Sequence, residues 1–198
     1  MRGAGVRLIL RLLVVVGLVV SFAPFTAKAD EKTVEKAMKQ QARDLWDQQK
    51  ATRAVRILRQ GANRMVYLQN IALLGHFTDT DFWKANDGVV YDVYQVNAFR
   101  FKFQDELTIV KRILSKVEIA DEQEAARAQT LVDETVRLIE LGRQIYKALE
   151  AQDVDGAVRI HWEKSLPLLN SINADAYTFT VNAEQRLDKA FLLLKYQP

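Results

Sequence analysis

A long apolar stripe runs along the last segment of the chain. Read at alternating steps of four and three residues, it places one side chain after another on the same face of an α-helix, and such a face requires other elements to pack against it. The stripe consists of Trp162, Leu166, Leu169, Asn173, Ala176, Thr180, Ala183, Leu187, Ala190 and Leu194. Two of its positions, Asn173 and Thr180, are polar.

Three earlier segments repeat this helical spacing, and glycine and proline are scarce in the chain after residue 29. The pattern predicts helix A over about residues 31–76 and helix B from the turn signals of residues 78–88 to about residue 117. Asp121 and Asp153 are predicted to cap helices C and D, and Pro167 is predicted to kink helix D. Four long helices joined by short turns predict an all-α fold, an antiparallel up-down four-helix bundle.

The beginning of the chain has the pattern of a secretory signal peptide. Arg2, Arg7 and Arg11 precede an apolar run over residues 12–23, and Ala27-Lys28-Ala29 provides a small-x-small cleavage site. We therefore predict a signal peptide over residues 1–29, a single helical domain over residues 30–198, and a periplasmic or secreted location. The alternative is an uncleaved membrane anchor, because the longer stretch from Leu8 to Phe25 is almost long enough to span a bilayer.

Removal of this segment changes the charge balance of the protein. The full chain has 28 basic and 25 acidic residues, a net charge of +3. The segment holds four of the basic residues and no acidic residue, so 24 basic and 25 acidic residues remain, a net charge of −1. This balance does not indicate nucleic acid as a partner. The chain has no cysteine, which excludes disulfides and thiolate metal sites, and it has no second stretch of membrane-spanning length.

Sequence motifs for catalysis are missing. The two histidines are His76 and His161, and the residues three positions before them are Leu73 and Val158. The Glu-x-x-His pairs of di-iron helical bundles are therefore absent, as are zinc-protease, hydrolase and phosphate-loop motifs. The sequence predicts a protein that is not an enzyme and that has no metal site.

One charged residue falls on a predicted apolar stripe. Arg100 lies on the stripe of helix B, and folding the helices against one another brings Thr52, Thr135 and Asn173 within one or two turns of its level. A charge inside a bundle must be paired or hydrated. We therefore predict a ligand-binding set of Arg100, Thr52, Thr135 and Asn173, with Arg100 facing the acidic group of a small polar or anionic ligand. The alternative is that Arg100 extends outward or pairs with Glu134 or Glu140.

A second group of cations lies on helix A. Arg53, Arg56, Arg59 and Arg64 suggest an anion site, but at helical spacing they spread around much of the helix. A solvated face is the favoured interpretation, and an anion site is the alternative.

The start of helix D resembles a known family. The stretch Asp153-Val154-Asp155-Gly156-Ala157, running into Leu166-Pro167-Leu168-Leu169, is similar to the start of the fourth helix in four-helix-bundle periplasmic sensor domains of methyl-accepting chemotaxis receptors. The likeness in layout covers about residues 30–196, and we expect neither a second membrane helix nor a signalling domain. The resemblance implies a bundle that senses a small molecule or a partner protein, and it leaves a homodimer open.

Two other classes of function remain. No cofactor is predicted, but folding helix D antiparallel onto helix A places Met65 level with His161, and a Met–His pair can ligate haem. This alternative is a haem-binding electron-transfer bundle, although His161 lies beside the predicted stripe rather than on it. The other class is a structural or chaperone-like helical protein without saturable small-molecule binding.

Overall fold

The computed structural model describes residues 31–77 and 93–195, with side chains over residues 35–74 and 97–190. This part of the chain is all-helical, with four helices and no strand, which confirms the all-α prediction and is compatible with a helical bundle. The fourth helix is continuous but contains a π-helical turn. The elements are α1 (Glu31–Phe77), α2 (Val93–Leu114), α3 (Glu122–Glu150) and the fourth helix, which comprises α4 (Val154–Ile160), π1 (His161–Ser165) and α5 (Leu166–Lys195).

The chain divides into two compact units. One unit is Asp44–Ala183, and the other joins the chain before Asp44 to the chain after Ala183. In the second unit, the described residues are the helical ranges 31–43 and 184–195. The single domain over residues 30–198 stays a prediction, and the predicted signal peptide lies outside the described residues. None of the helices given above combines the length and the apolar character needed to cross a membrane.

All four helices contribute buried apolar side chains to the core of the unit Asp44–Ala183. Leu58, Phe103, Leu138 and Ile172 are fully buried, one from each helix. Burying a side chain of this size contributes about 1.5–3 kcal/mol. The positions of the predicted stripes that are buried are Gln48, Ala54, Val55, Leu58, Gly61, Met65, Leu68 and Ala72 of α1, Phe103, Leu107 and Val110 of α2, Leu131, Thr135, Leu138, Gly142, Ile145 and Leu149 of α3, and Leu169, Ala176 and Ala183 of the fourth helix.

The two predicted helix caps are confirmed. The Oδ1 atom of Asp121 accepts a hydrogen bond from the backbone N–H of Glu124 at 3.0 Å. In the same way, Asp153 Oδ1 accepts from the backbone N–H of Gly156 at 2.9 Å. Each cap pairs a backbone donor that the helix itself leaves unpaired, which contributes about 1 kcal/mol.

Close packing between α1 and α2 depends on a glycine. Gly61 is buried against the ring of Phe103, and a methyl group at position 61 would overlap that ring. Phe103 is itself fully buried and stacks on Phe99, with 5.8 Å between ring centroids. The missing side chain at Gly61 is therefore what gives Phe103 its place in the core.

The predicted stripe of the fourth helix is wrong at its first position. Trp162 is 62% exposed, whereas His161 is fully buried. The cause is the π turn, in which the backbone N–H of Leu166 donates to the carbonyl of His161 five residues earlier instead of four. Because of this wider turn, three successive buried positions are each four residues after the one before, from Ala157 to Leu169. The buried positions along the helix are Ala157, His161, Ser165, Leu169, Ile172, Ala176, Phe179 and Ala183.

Pro167 is the second residue after this turn. Proline has no backbone N–H, so the carbonyl four residues earlier, that of Glu163, loses its helical partner. The helix nevertheless continues through Pro167 to Lys195. The kink predicted at Pro167 stays a prediction, and the hydrogen-bond pattern changes in the preceding turn.

Candidate functional site

A wide groove of about 980 Å³ opens along α1 and beside the start of α2. The residues of α1 that line it recur every three or four positions and therefore share one face of the helix. From Arg56 to Leu68 this face extends for about 18 Å at 1.5 Å per residue. The lining residues are Arg56, Arg59, Gln60, Asn63, Arg64, Tyr67 and Leu68 of α1 with Ala98, Phe99 and Lys102 of α2.

The groove is strongly cationic. Arg56, Arg59, Arg64 and Lys102 contribute four positive charges, and none of the described lining residues is acidic. Opposite charges about 4 Å apart attract by roughly 1 kcal/mol in water and by about 4 kcal/mol near a protein surface. The lining therefore favours an anionic guest over a neutral or cationic one.

A polar network at one end of the groove holds two of its side chains in place. Asn173 Oδ1 accepts from Arg59 Nε at 3.2 Å and from Asn63 Nδ2 at 2.9 Å. Asn173 Nδ2 donates in return to Asn63 Oδ1 at 3.3 Å. The bond at Nε orients the guanidinium plane of Arg59, and orienting a side chain in advance lowers the entropy lost when a ligand binds.

An aromatic ring supports a third cation. The guanidinium carbon of Arg64 lies 5.2 Å from the ring centroid of Phe99, within the range of a cation–π interaction. Phe99 is buried and belongs to the stack with Phe103, so its position is set by the core. Tyr67, in contrast, is 54% exposed and presents an aromatic surface to the groove.

The hydroxyl groups of two predicted site residues bond to their own helices. Thr52 Oγ1 donates to the carbonyl of Gln48 at 2.8 Å, and Thr135 Oγ1 donates to the carbonyl of Leu131 at 2.7 Å. Thr135 is fully buried. Asn173 does not line the groove, but it bonds to Arg59 and Asn63, which do. Among the contacts of the described side chains, none joins two of the four predicted residues, and neither described cavity is lined by any of them.

Arg100 is half-buried on α2 and has local partners. Its Nε donates to Asn97 Oδ1 at 3.0 Å, and its guanidinium lies 4.1 Å from the ring centroid of Phe101. It also lies close enough to Glu140 to act on it: the pKa of Glu140 is lowered first by the hydrogen bond from Arg143 and, more weakly, by the charge of Arg100. The pocket around Arg100 stays a prediction.

The arginines of α1 were predicted to form a solvated face, with an anion site as the alternative. Arg56, Arg59 and Arg64 line the groove, while Arg53 does not. Their neutral neighbours Asn63 and Tyr67 were not singled out, although they recur at the same helical spacing. The face is solvated, as the favoured interpretation expected, but it is also concave.

A second group of polar residues is buried at the π turn. Gln69, His161 and Ser165 are fully buried, and His161 Nδ1 lies 3.1 Å from Gln69 Oε1. The atoms Gln69 Nε2, His161 Nε2 and Ser165 Oγ have no hydrogen-bond partner in the protein. Met65 is also buried, and Gly142 packs against it.

This buried group does not by itself indicate a cofactor. Neither described cavity is lined by Met65 or His161, and the haem alternative stays a prediction. Within the residues whose side chains are described, no group of three or more histidine, cysteine, aspartate or glutamate side chains could hold a metal ion.

Comparison with known proteins leaves the groove as the main guide to function. No family model, no curated protein and no solved structure matches this chain. A function must therefore be inferred from the shape, charge and side-chain chemistry of the groove.

Proposed function

We propose that this protein is a helical binding protein that takes up a small organic anion in the groove between α1 and α2. The observation that carries the proposal is the set of four cations in one groove whose described lining contains no acidic residue. Arginine offers several donors in a fixed plane and binds carboxylate and phosphate groups well. Two side-chain amides, those of Gln60 and Asn63, supply further donors and acceptors beside the cations.

Binding is favoured over catalysis by the chemistry of the lining. General acid–base catalysis commonly uses histidine or a carboxylate, and the described lining offers neither. The groove has donors that can orient an anion and an aromatic surface beside them. Such a lining suits recognition and release of a ligand.

We further propose that the unit Asp44–Ala183 is an antiparallel up-down bundle. In the contacts between α1 and α2, Gly61 meets Phe103 and Arg64 meets Phe99, so residue numbers rise on one helix as they fall on the other. The same reversal supports an antiparallel pairing of α3 with the fourth helix. There the pairs are Glu134 with Ser171 and Arg127 with Asp175.

The export of the protein is also part of the proposal. The signal-like start of the chain supports a periplasmic or secreted binding protein, and the resemblance of the start of the fourth helix to chemoreceptor sensor domains supports a sensing role. Expression of the full chain in a bacterial host, followed by fractionation and N-terminal sequencing, tests the export. A mature N-terminus at Asp30 in the periplasmic fraction is expected, and full-length protein retained in the membrane would contradict it.

The groove is tested by titration calorimetry with hexanoate, citrate and inorganic phosphate. We expect saturable binding of at least one of these anions and weaker binding at higher salt, because the cations are solvent-accessible. Arg59→Gln should weaken binding about 10- to 150-fold, the equivalent of losing about 1.5–3 kcal/mol of charge-assisted hydrogen bonding.

Arg53→Gln is the matched control for this experiment. Arg53 is an exposed arginine on the same helix that does not line the groove, so its substitution removes the same charge from the protein at a different place. Binding should be almost unchanged in this variant. Equal losses in the two variants would show a general effect of net charge, and the absence of binding by all three anions would contradict the proposal. Saturable binding of a protein partner alone would favour the partner-sensing alternative.

A further inference from the structure

The groove changes from polar to apolar along α1. Its first part is lined by Arg56, Arg59, Gln60 and Asn63. Its far part is lined by Tyr67 and Leu68, with Ala98 and Phe99 of α2. The two parts therefore suit the two ends of an elongated ligand differently: the first part suits a charged or polar end, and the far part suits an apolar end.

The contacts between α1 and α2 place the remaining cations between these two parts. Phe103 packs against Gly61, and the ring of Phe99 lies under Arg64. Lys102, adjacent to Phe103 in sequence, is thus level with the stretch of α1 between Gly61 and Arg64. Ala98 lies beyond it, toward the apolar end.

We propose that the ligand is an amphiphilic anion, with its acidic head at Arg59 and Asn63 and its apolar tail lying toward Leu68 and Phe99. This inference rests on the proposed function, because it specifies the class of anion that the same groove binds. The acidic head would be a carboxylate or a phosphate, since the arginine fork accepts both. The tail would be an alkyl or aromatic group that covers the exposed ring of Tyr67 and the methyl group of Ala98.

The polarity of the two parts gives the ligand one orientation. A carboxylate at the apolar end would lose hydration against carbon surface and would meet fewer cations than in the first part, since Arg64, over the ring of Phe99, is the cation described there. An apolar tail at the same end would remove carbon surface from water on both sides of the contact. A ligand with one acidic end should therefore bind better than a ligand of equal length with two.

The test compares four probes by titration calorimetry: the monocarboxylates butyrate, hexanoate and decanoate, and the dicarboxylate decanedioate, at concentrations below micelle formation. Affinity should rise with chain length, by up to about fourfold for each methylene that becomes buried. Decanoate should bind more tightly than decanedioate, which has the same number of carbons.

Two tyrosine variants locate the tail. Tyr67→Ala should reduce the gain in affinity from butyrate to decanoate and leave butyrate binding almost unchanged. Tyr177→Ala is the matched control, because Tyr177 is 62% exposed on α5 and does not line the groove. The urea midpoints of both variants should stay close to that of the wild type, since both rings are largely in solvent.

The outcomes separate the inference from the proposed function. If none of the four probes, citrate or phosphate binds, the proposed function fails. If butyrate and decanoate bind equally, or if decanedioate equals decanoate, anion binding stands and the amphiphilic ligand is wrong. A chain-length dependence that Tyr177→Ala reduces as much as Tyr67→Ala would place the tail outside the groove and also overturn the inference.

Discussion

The Nδ1 atom of His161 lies 3.1 Å from the Oε1 atom of Gln69, which joins the π turn of the fourth helix to α1. Both side chains are fully buried. Because an amide oxygen can only accept, Nδ1 donates the proton, and Nε2 of the neutral ring is left as an acceptor without a protein partner. The contact thus selects one tautomer of a neutral histidine.

The stability of the protein should fall in mild acid because of this histidine. Burial lowers the pKa of His161 below its ordinary value of 6.5. Between the lowered pKa of the folded state and 6.5, the unfolded chain binds more protons than the folded one, so the free energy of unfolding decreases as the pH falls through that window. Below the folded-state pKa this contribution levels off. Urea unfolding measured from pH 5 to pH 8 follows the change.

A variant without the imidazole separates this contribution from that of the carboxylates. His161→Gln cannot titrate in the window, so its free energy of unfolding should depend less steeply on pH than that of the wild type. The difference between the two curves isolates His161, because the other titrating groups are common to both proteins. Parallel curves over this range would mean that His161 keeps its ordinary pKa in the folded protein.

The register of the fourth helix can be tested with two truncations. Leu169 is 9% exposed and Trp162 is 62% exposed, although both were predicted to lie on one apolar stripe. Leu169→Ala should cost about 2–5 kcal/mol, whereas Trp162→Ala should change stability by about 0.5 kcal/mol or less. Chemical denaturation measures both. A large loss of stability for Trp162→Ala would indicate that Trp162 is buried on the regular stripe, and it would argue against the π turn.

Adding a methyl group at Gly61 should destabilise the protein. Alanine is the better helix former by about 1 kcal/mol, so Gly61→Ala would stabilise an exposed helix. Here the methyl group would overlap the buried ring of Phe103, and overpacking of this kind costs about 1–3 kcal/mol. The expected net result is a loss of up to about 2 kcal/mol in urea unfolding.

The double variant Gly61→Ala/Phe103→Leu checks the cause of that loss. Leucine leaves room for the added methyl group, so the cost of Gly61→Ala should shrink or change sign in this background. The expected coupling energy is about 0.5–3 kcal/mol, the range found for residues in contact. Additive effects would show that the loss at Gly61 has another origin.

The predicted pocket around Arg100 and the groove around Arg59 make opposite predictions for one substitution. Arg100→Met should leave hexanoate affinity within about twofold of the wild type if the groove is the site, since Arg100 does not line it. The same substitution should abolish binding if Arg100 faces the ligand. Calorimetry on Arg100→Met beside Arg59→Gln identifies which arginine the anion contacts. Circular dichroism confirms that both variants keep their helical content.

The parts of the fold that the sequence predicted are those where helical periodicity and burial agree. In α3 every predicted stripe position is buried, from Leu131 to Leu149, because the helix is regular throughout its length. The caps at Asp121 and Asp153 were also predictable, since an aspartate just before an amphipathic segment is a preferred N-cap of a helix. Local chemistry was sufficient in each of these cases.

The start of the fourth helix was not predictable in the same way. The prediction of a stripe at alternating steps of four and three assumes α-helical hydrogen bonds. The bond from the N–H of Leu166 to the carbonyl of His161 spans five residues instead of the four of an α-helix. Trp162 fitted the assumed spacing, but it lies on the exposed side of the helix. The available signal was Pro167, which removes a backbone donor; it predicted a kink, and it did not indicate a π turn.

The groove depends on contacts that no local pattern contains. Asn63 and Asn173 are 110 positions apart, and their hydrogen bond requires the relative level of two helices to within one turn. The arginines of α1 were visible in the sequence, but whether their face is flat or concave depends on where α2 and the fourth helix lie beside it. Charge was therefore predictable here, and shape was not.

The π turn gives the fourth helix a spare residue. Such a turn contains one residue more than an α-helix needs at that place, so removing an exposed residue such as Lys164 would let the backbone close into a regular α-helix. The side chains that are buried before and after the deletion would stay buried. A deletion elsewhere, for example at Tyr177 in α5, would turn every later side chain by about 100° and carry Phe179 out of the core. In evolutionary terms, the gene can lose one codon within this turn and the core side chains stay buried. The loss of one codon elsewhere in the helix would move the later core side chains out of the core.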